Sequence, residues 1–203
     1  MEKIKSFDEK KDIQNKKILL RSDFNVPILN GLIQDKTRID LSIPFIKSLL
    51  QGGAKVLLFS HLGRPKDDKD KNFSLKPVFH YLKEKIDYKM YFNSEKITRE
   101  TKDRISFLNN GELIFFENIR FNKGELSNDD DFAKTLSAMG DIYINDAFSC
   151  SHRKQTSIHK ITKYINNAYA GPQFIKEIAA IDRVLNQKKN PITCIIGGSK
   201  IST

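Results

Sequence analysis

Cysteine is scarce: two residues, Cys150 and Cys194, stand in a chain of 203. They form no spaced framework, which excludes a disulfide scaffold and points to a reducing compartment. Zinc-ligand spacing is missing, and neither a Ser-His-Asp nor a Cys-His nucleophile stands in a fitting context. No apolar run approaches the ~18 residues of a membrane helix. The charged start, Met1-Glu2-Lys3-Ile4-Lys5, has no apolar block behind it, so no secretory signal is expected. GxGxxG is absent, and Gly197-Gly198-Ser199-Lys200 lacks the spacing of a Walker loop. A cytoplasmic location is the expectation, and there the sequon Asn72-Phe73-Ser74 has no meaning.

What is present is a globular composition, 39% hydrophobic with fourteen Phe, kept soluble by 30% charged residues. A body of this size buries about 70% of its unfolded surface, enough for a core without staples. The net charge of +10 comes mainly from lysines at surface-like positions such as Lys10-Lys11, Lys16-Lys17 and Lys188-Lys189. No ribonucleoprotein, zinc-finger or helix-turn-helix pattern accompanies it, so no nucleic-acid partner is expected. A basic field that draws in anionic metabolites explains the charge as well.

Short apolar blocks alternate with helical stripes. Strands are predicted at 17–21, 55–60, 88–92, 112–117, 141–145 and 191–196, most of them unbroken runs, as when both faces of a sheet are covered. Ile39, Ile43, Ile46 and Leu50 share a helix face that Gly52-Gly53 ends. Pro44 implies an irregular first turn or a later start. Ser74 is predicted to cap one helix, with Pro77 in its first turn, and Ser127 another, ahead of Asp129-Asp130-Asp131. A last helix is predicted over 172–188, with a stripe at Phe174, Ile175, Ile178, Ile181 and Leu185. The alternation implies right-handed crossovers and an α/β fold, a three-layer Rossmann-like sandwich on a mainly parallel sheet.

Arginine is outnumbered by lysine, 8 to 27, yet four of the eight follow predicted strands: Arg21, Arg64, Arg120 and Arg153. In a parallel sheet the strand ends share the edge where ligands bind, so these guanidinium groups are expected to converge. A guanidinium grips phosphate or carboxylate in a bidentate way that an ammonium cannot. Arg21-Ser22-Asp23-Phe24-Asn25 puts Arg21, Asp23 and Asn25 on one side of the chain. They either hold a substrate hydroxyl and carboxylate, or form a turn that satisfies its own backbone. Ser60-His61-Leu62-Gly63-Arg64 sets His61 and Arg64 on a tight loop, a position that favours a site over a structural histidine. Together these residues point to a clamp for a small, multiply anionic ligand, suited to phosphoryl transfer, which needs mainly positioning and charge stabilisation.

In order and spacing the loops resemble the phosphoglycerate kinase family. Arg21-Ser22-Asp23-Phe24-Asn25-Val26-Pro27, Ser60-His61-Leu62-Gly63-Arg64-Pro65, Glu117-Asn118-Ile119-Arg120-Phe121, Asp146-Ala147-Phe148 with His152-Arg153, and Ile196-Gly197-Gly198-Ser199-Lys200 carry the resemblance. It implies a two-domain, monomeric glycolytic kinase that moves a phosphoryl group reversibly between 1,3-bisphosphoglycerate and ADP, giving 3-phosphoglycerate and ATP. Residues 1–171 would form the glycerate-binding domain, 172–189 the hinge helix, and 190–203 the first strand of a nucleotide-binding domain. Asp23, Asn25, Arg38, His61, Arg64, Arg120 and Arg153 would contact the glycerate. Arg38 would stabilise the transferring phosphoryl group, Arg21 would support the site from beside Asp23, and Lys200 would reach the nucleotide phosphates.

On this resemblance Mg²⁺ with ADP or ATP belongs to a second domain that these 203 residues lack, so substrate binding without turnover is expected. Residues 190–203, without their sheet, are expected to be mobile, wrongly docked or covered by a second copy. The segment between Asp146 and His152 is less glycine-rich than the family pattern. Two other readings remain: a stand-alone module that binds a phosphorylated metabolite without catalysis, and a basic surface that takes polyanions nonspecifically and weakens steeply with salt.

Overall fold

Strand alternation divides the interior of this computed structural model, which describes residues 4–67, 70–186 and 193. Six parallel strands form one sheet in the order β5-β6-β4-β1-β7-β8: β1 Lys17–Ser22, β4 Lys55–Phe59, β5 Met90–Asn93, β6 Leu113–Phe116, β7 Ile142–Asp146 and β8 Ala168–Ala170. Ile18 and Leu20 of β1 enter one core with Val56, Leu58, Leu113, Phe115, Ile142 and Ile144, under helices α1 (Thr37–Gln51) and α2 (Lys76–Lys85). Leu19 enters the other with Leu57, Ile114, Phe116 and Tyr143, under α5 (Asp130–Ser137). A period of two on a sheet covered on both sides gives unbroken apolar strands and two cores. The three-layer α/β sandwich is therefore present, and its five predicted strands before residue 150 lie within two residues of the observed ones.

The predicted strand at 191–196 and Lys200 lie outside the described residues. Three short strands, among other short elements, escaped the sequence reading. β8 is three residues long, too short to show a period. The hairpin of β2 (Ile28–Leu29) and β3 (Leu32–Ile33) turns at Asn30 and Gly31, both at positive φ, 51° and 76°. Asn-Gly between apolar pairs is a strong hairpin signal, and it was there to be used.

Three helix starts are corrected. α1 begins at Thr37 and continues through Pro44, so neither irregular start applies. Proline removes one ladder bond, and near it the Leu41 carbonyl accepts the side-chain amide of Gln173 (2.9 Å) from α6, Pro172–Leu185. α2 starts one residue later than predicted, with Leu75 at the cap position, yet the Ser74 hydroxyl keeps a capping bond: it accepts the Lys76 N–H (3.2 Å) and donates to Glu117 (2.6 Å), which also takes the Leu75 N–H (2.7 Å). Ser127 closes the short α4, Lys123–Leu126, by donating back to the Gly124 carbonyl (3.3 Å). Asn128 at positive φ then redirects the chain, and Asp129 caps α5 by accepting the Phe132 N–H (2.7 Å). The one-turn α3 spans Thr101–Arg104.

α6 has the expected apolar stripe but buries no residue: Ile181, Val184 and Leu185 are exposed. No helix among the described residues is long and apolar enough to cross a membrane.

Candidate functional site

The strand ends Ser22, Phe59, Phe116 and Asp146 face one edge, and the loops after them meet there. Arg21, in the last turn of β1, is completely buried. Its Nη1 donates to the Ser22 carbonyl (2.5 Å), its Nε to Ser157 Oγ (3.0 Å) and its Nη2 to His61 Nδ1 (3.1 Å). A guanidinium has no acceptor, so His61 Nδ1 must accept and the ring proton sits on Nε2. Burial first, and then the charges of Arg21, Arg120, Arg153 and Arg38, push the His61 pKa down to about 2. His61 is a neutral donor throughout the physiological range.

Asp23 forms the local turn and also reaches beyond it. Its Oδ1 accepts the Asn25 N–H (3.1 Å), a local turn. Its Oδ2 takes Arg38 Nη1 (2.7 Å) and the Ser149 hydroxyl. Asn25 Oδ1 in turn accepts the Gly63 N–H (2.8 Å), which ties the β1 and β4 loops together. Arg38 is 49% exposed, so donors remain for a ligand oxygen. Arg64 is exposed, next to Gly63.

Arg120 is buried and donates to the Gly63 carbonyl and to Gln155 Oε1 (3.5 Å). Its Nε is buried with no partner, and among the described residues no carboxylate lies within ion-pair distance. Desolvation, then Arg153 and Arg21, push its pKa down to about 10. Arg153 is half-buried, with Nε 3.4 Å from His152 Nε2. Thus Arg21, Arg120 and Arg153, three of the four strand-end arginines, act electrostatically on His61 together with Arg38, while Arg64 is not among the charges that act on it. Arg38 joins them from α1, a residue that the strand-end pattern by itself did not single out.

Several contributing residues had no assigned role. Asn118, completely buried, donates to the Leu62 (2.8 Å) and Phe73 (2.9 Å) carbonyls and accepts the Arg120 N–H (3.1 Å). Its place after β6, beside Arg120, was the available signal. Ser149 and Ser157 sit in loops with no composition cue. Glu125 looks like surface in a charged stretch, yet it is completely buried, and burial raises its pKa against the opposing Arg21 and Ser157.

A cavity of about 760 Å³ lies elsewhere, lined by Lys36, Lys71, Lys76, His80, Glu84 and Glu117. Glu117 there accepts the Leu75 N–H (2.7 Å) and the Ser74 hydroxyl (2.6 Å) at the start of α2. A smaller one of about 130 Å³ connects Asp23, Arg38 and Ser149 to Asp146, Gln173 and Glu177 at the α6 start.

Asp146 holds that junction. Its Oδ1 accepts the Gln173 (2.7 Å) and Phe174 (3.2 Å) N–H groups, and its buried Oδ2 has no partner. Burial pushes its pKa up to about 6, against those two bonds and Lys176, with Glu9 adding to the rise. The folded carboxyl binds a proton more tightly than the unfolded one. Its contribution is complete below 3.8 and is lost as pH climbs through about 6. His61 has the opposite sign, its contribution falling as pH drops below 6.5. The difference between wild-type and Asp146→Asn stability curves cancels His61. In urea titrations it should fall by about 3 kcal/mol from pH 3 to 7.

A family model described as phosphoglycerate kinase matches residues 8–203. The curated phosphoglycerate kinases of Legionella pneumophila (strain Corby) and Rhizobium meliloti (strain 1021) are 42% and 41% identical to 95% and 98% of this chain. These matches cover 47% and 50% of the two relatives. The solved structure of phosphoglycerate kinase from Coxiella burnetii has a TM-score of 0.78 at 34% identity, over 95% of this chain and 48% of that one. That from Pyrococcus horikoshii OT3 has a TM-score of 0.77 at 28% identity, over 90% and 46%. The chain spans about half the length of the curated relatives it matches.

Proposed function

The chain belongs to the phosphoglycerate kinase family, and on that premise we propose that its arginine cleft binds 3-phosphoglycerate or 1,3-bisphosphoglycerate. The reaction served is reversible phosphoryl transfer between 1,3-bisphosphoglycerate and ADP, giving 3-phosphoglycerate and ATP. One observation carries this reading: Arg21, Arg38, Arg120 and Arg153 crowd a neutral histidine, and Arg120 keeps a buried donor unpaired. Like charges at close range repel, and a polyanion of the right shape removes that repulsion while filling the donors.

Roles follow from exposure and partners. Asp23 and Asn25 hold the hydroxyl side of the glycerate, and His61 donates from Nε2. Arg64, Arg120 and Arg153 grip carboxylate or phosphate oxygens. Arg38, hinged on Asp23, steadies the phosphoryl group in transfer, where positioned positive charge has its largest effect. Arg21 supports the cleft from within. The domain division at 171 and 189, with 172–189 as hinge helix, agrees with an α6 stripe that these residues leave uncovered.

Among the described residues no cluster of His, Cys, Asp or Glu could hold a metal ion. On this reading nucleotide is held by the half of the relatives' length that these residues do not span, with Lys200 at its entrance. By themselves the 203 residues bind glycerate without turning it over.

Calorimetric titration of 3-phosphoglycerate at physiological salt tests the reading. We expect saturable one-site binding that Arg38→Ala weakens at least tenfold, as for loss of a charge-assisted hydrogen bond. No heat, binding indifferent to Arg38, or equal competition by any polyanion would overturn it.

A further inference from the structure

A buried carboxylate lies behind the cleft, two residues removed from His61. Glu125 is 0% exposed, and both its oxygens accept from one residue: Ser157 N–H to Oε2 (2.8 Å) and Ser157 O–H to Oε1 (2.7 Å). Ser157 Oγ also accepts Arg21 Nε (3.0 Å), and Arg21 Nη2 reaches His61 Nδ1 (3.1 Å). The order of donors in this chain is forced. With Glu125 ionised, its carboxylate only accepts and the Arg21 guanidinium only donates, so the Ser157 hydroxyl points to Glu125 and turns a lone pair to Arg21.

The surroundings hold this order in place. Tyr143 Oη donates to the Ser157 carbonyl (2.6 Å), Thr156 N–H to the Glu125 carbonyl (3.0 Å), and Thr156 Oγ1 to the Gly124 carbonyl (2.6 Å). Glu125 is the completely buried carboxylate among the described residues, and Arg21 the completely buried guanidinium. Fixing the Arg21 plane from behind fixes which nitrogen of His61 accepts.

We infer that Glu125 is a positioning residue: through Ser157 and Arg21 it sets the ring plane and tautomer of His61, leaving Nε2–H as the donor for a ligand oxygen. Glu125 touches no ligand in this arrangement. The inference takes from the proposed function only that His61 contacts the glycerate.

The test reads His61 directly in the free chain, by nitrogen chemical shifts of labelled histidine, in wild type, Glu125→Gln, Ser157→Ala and Ser157→Thr. Expected is a single neutral Nε2–H tautomer in wild type. It should become a mixture in Glu125→Gln and Ser157→Ala, and return in Ser157→Thr, which restores the hydroxyl. Affinity for 3-phosphoglycerate should follow the same order, with roughly a tenfold loss in the first two variants. A folded Glu125→Gln chain with unchanged His61 signals overturns the inference. If that variant fails to fold, Glu125→Asp keeps the charge but withdraws it by one methylene, and an unperturbed His61 there is equally fatal. A tautomer that responds to Glu125 in a chain that binds no 3-phosphoglycerate supports the coupling and refutes the proposed function instead.

Discussion

Replacing Arg21 by methionine should lower the folding stability of the free chain by about 3–5 kcal/mol, the usual cost of leaving a buried charge without the opposite charge near it; here Ser157 bridges the two charges. Stable domains have about 5–15 kcal/mol in total, so this variant should lie near the edge of folding. Arg21 is completely buried and makes hydrogen bonds to three residues, one of them the serine that bridges to Glu125. Methionine fills much of the volume but leaves Glu125 buried without its cation. A fall in the urea midpoint at constant slope would report this. Adding Glu125→Leu should recover part of the loss, because an apolar pair can replace a buried ionic one at little net cost. A deficit below about 1 kcal/mol in the single variant would show that the two charges are not coupled.

Arg120→Met should behave in the opposite way. Arg120 is an interior arginine like Arg21, but no serine bridges it to a carboxylate, its Nε lacks a partner, and Arg153 and Arg21 press on its charge, a push that Glu125 opposes. In the free chain that charge is a liability. Losing its hydrogen bonds to Gly63 and Gln155 offsets the relief, so the urea midpoint should stay within about 1 kcal/mol of wild type. Ligand should separate the two proteins. At 3-phosphoglycerate concentrations a hundred times its Kd, wild type should gain about 2.7 kcal/mol, and Arg120→Met should gain almost none. A variant as unstable as Arg21→Met, or one that keeps the ligand-induced gain, would contradict this account of Arg120.

The contrast between these two arginines marks how far sequence reading extends. Both follow apolar blocks of the same kind, and both read as members of one anion clamp. Their convergence could be anticipated, since parallel strands put their carboxyl ends on one edge. Their environments could not. Arg21 meets Ser157 across 136 positions of chain, and Ser157 meets Glu125 across 32. Arg64, quoted beside them in the same pattern, is exposed. Glu125 follows Gly124 in a polar stretch, where composition favours a solvated side chain. The misplaced helix caps have a similar origin. Ser74 still accepts the Lys76 N–H but shares the helix entry with Glu117, 42 positions from Leu75, and the turn at Asn128 displaces Ser127.

The order of strands and helices, the two-sided burial of the sheet and the gathering of arginines at one edge are properties of local periodicity and chain direction, and the sequence by itself determined them. Which guanidinium has a countercharge, which histidine nitrogen carries the proton and which carboxylate is buried were decided only by the tertiary structure. Desolvation and pairing depend on neighbours brought together from distant parts of the chain, and no local pattern encodes them.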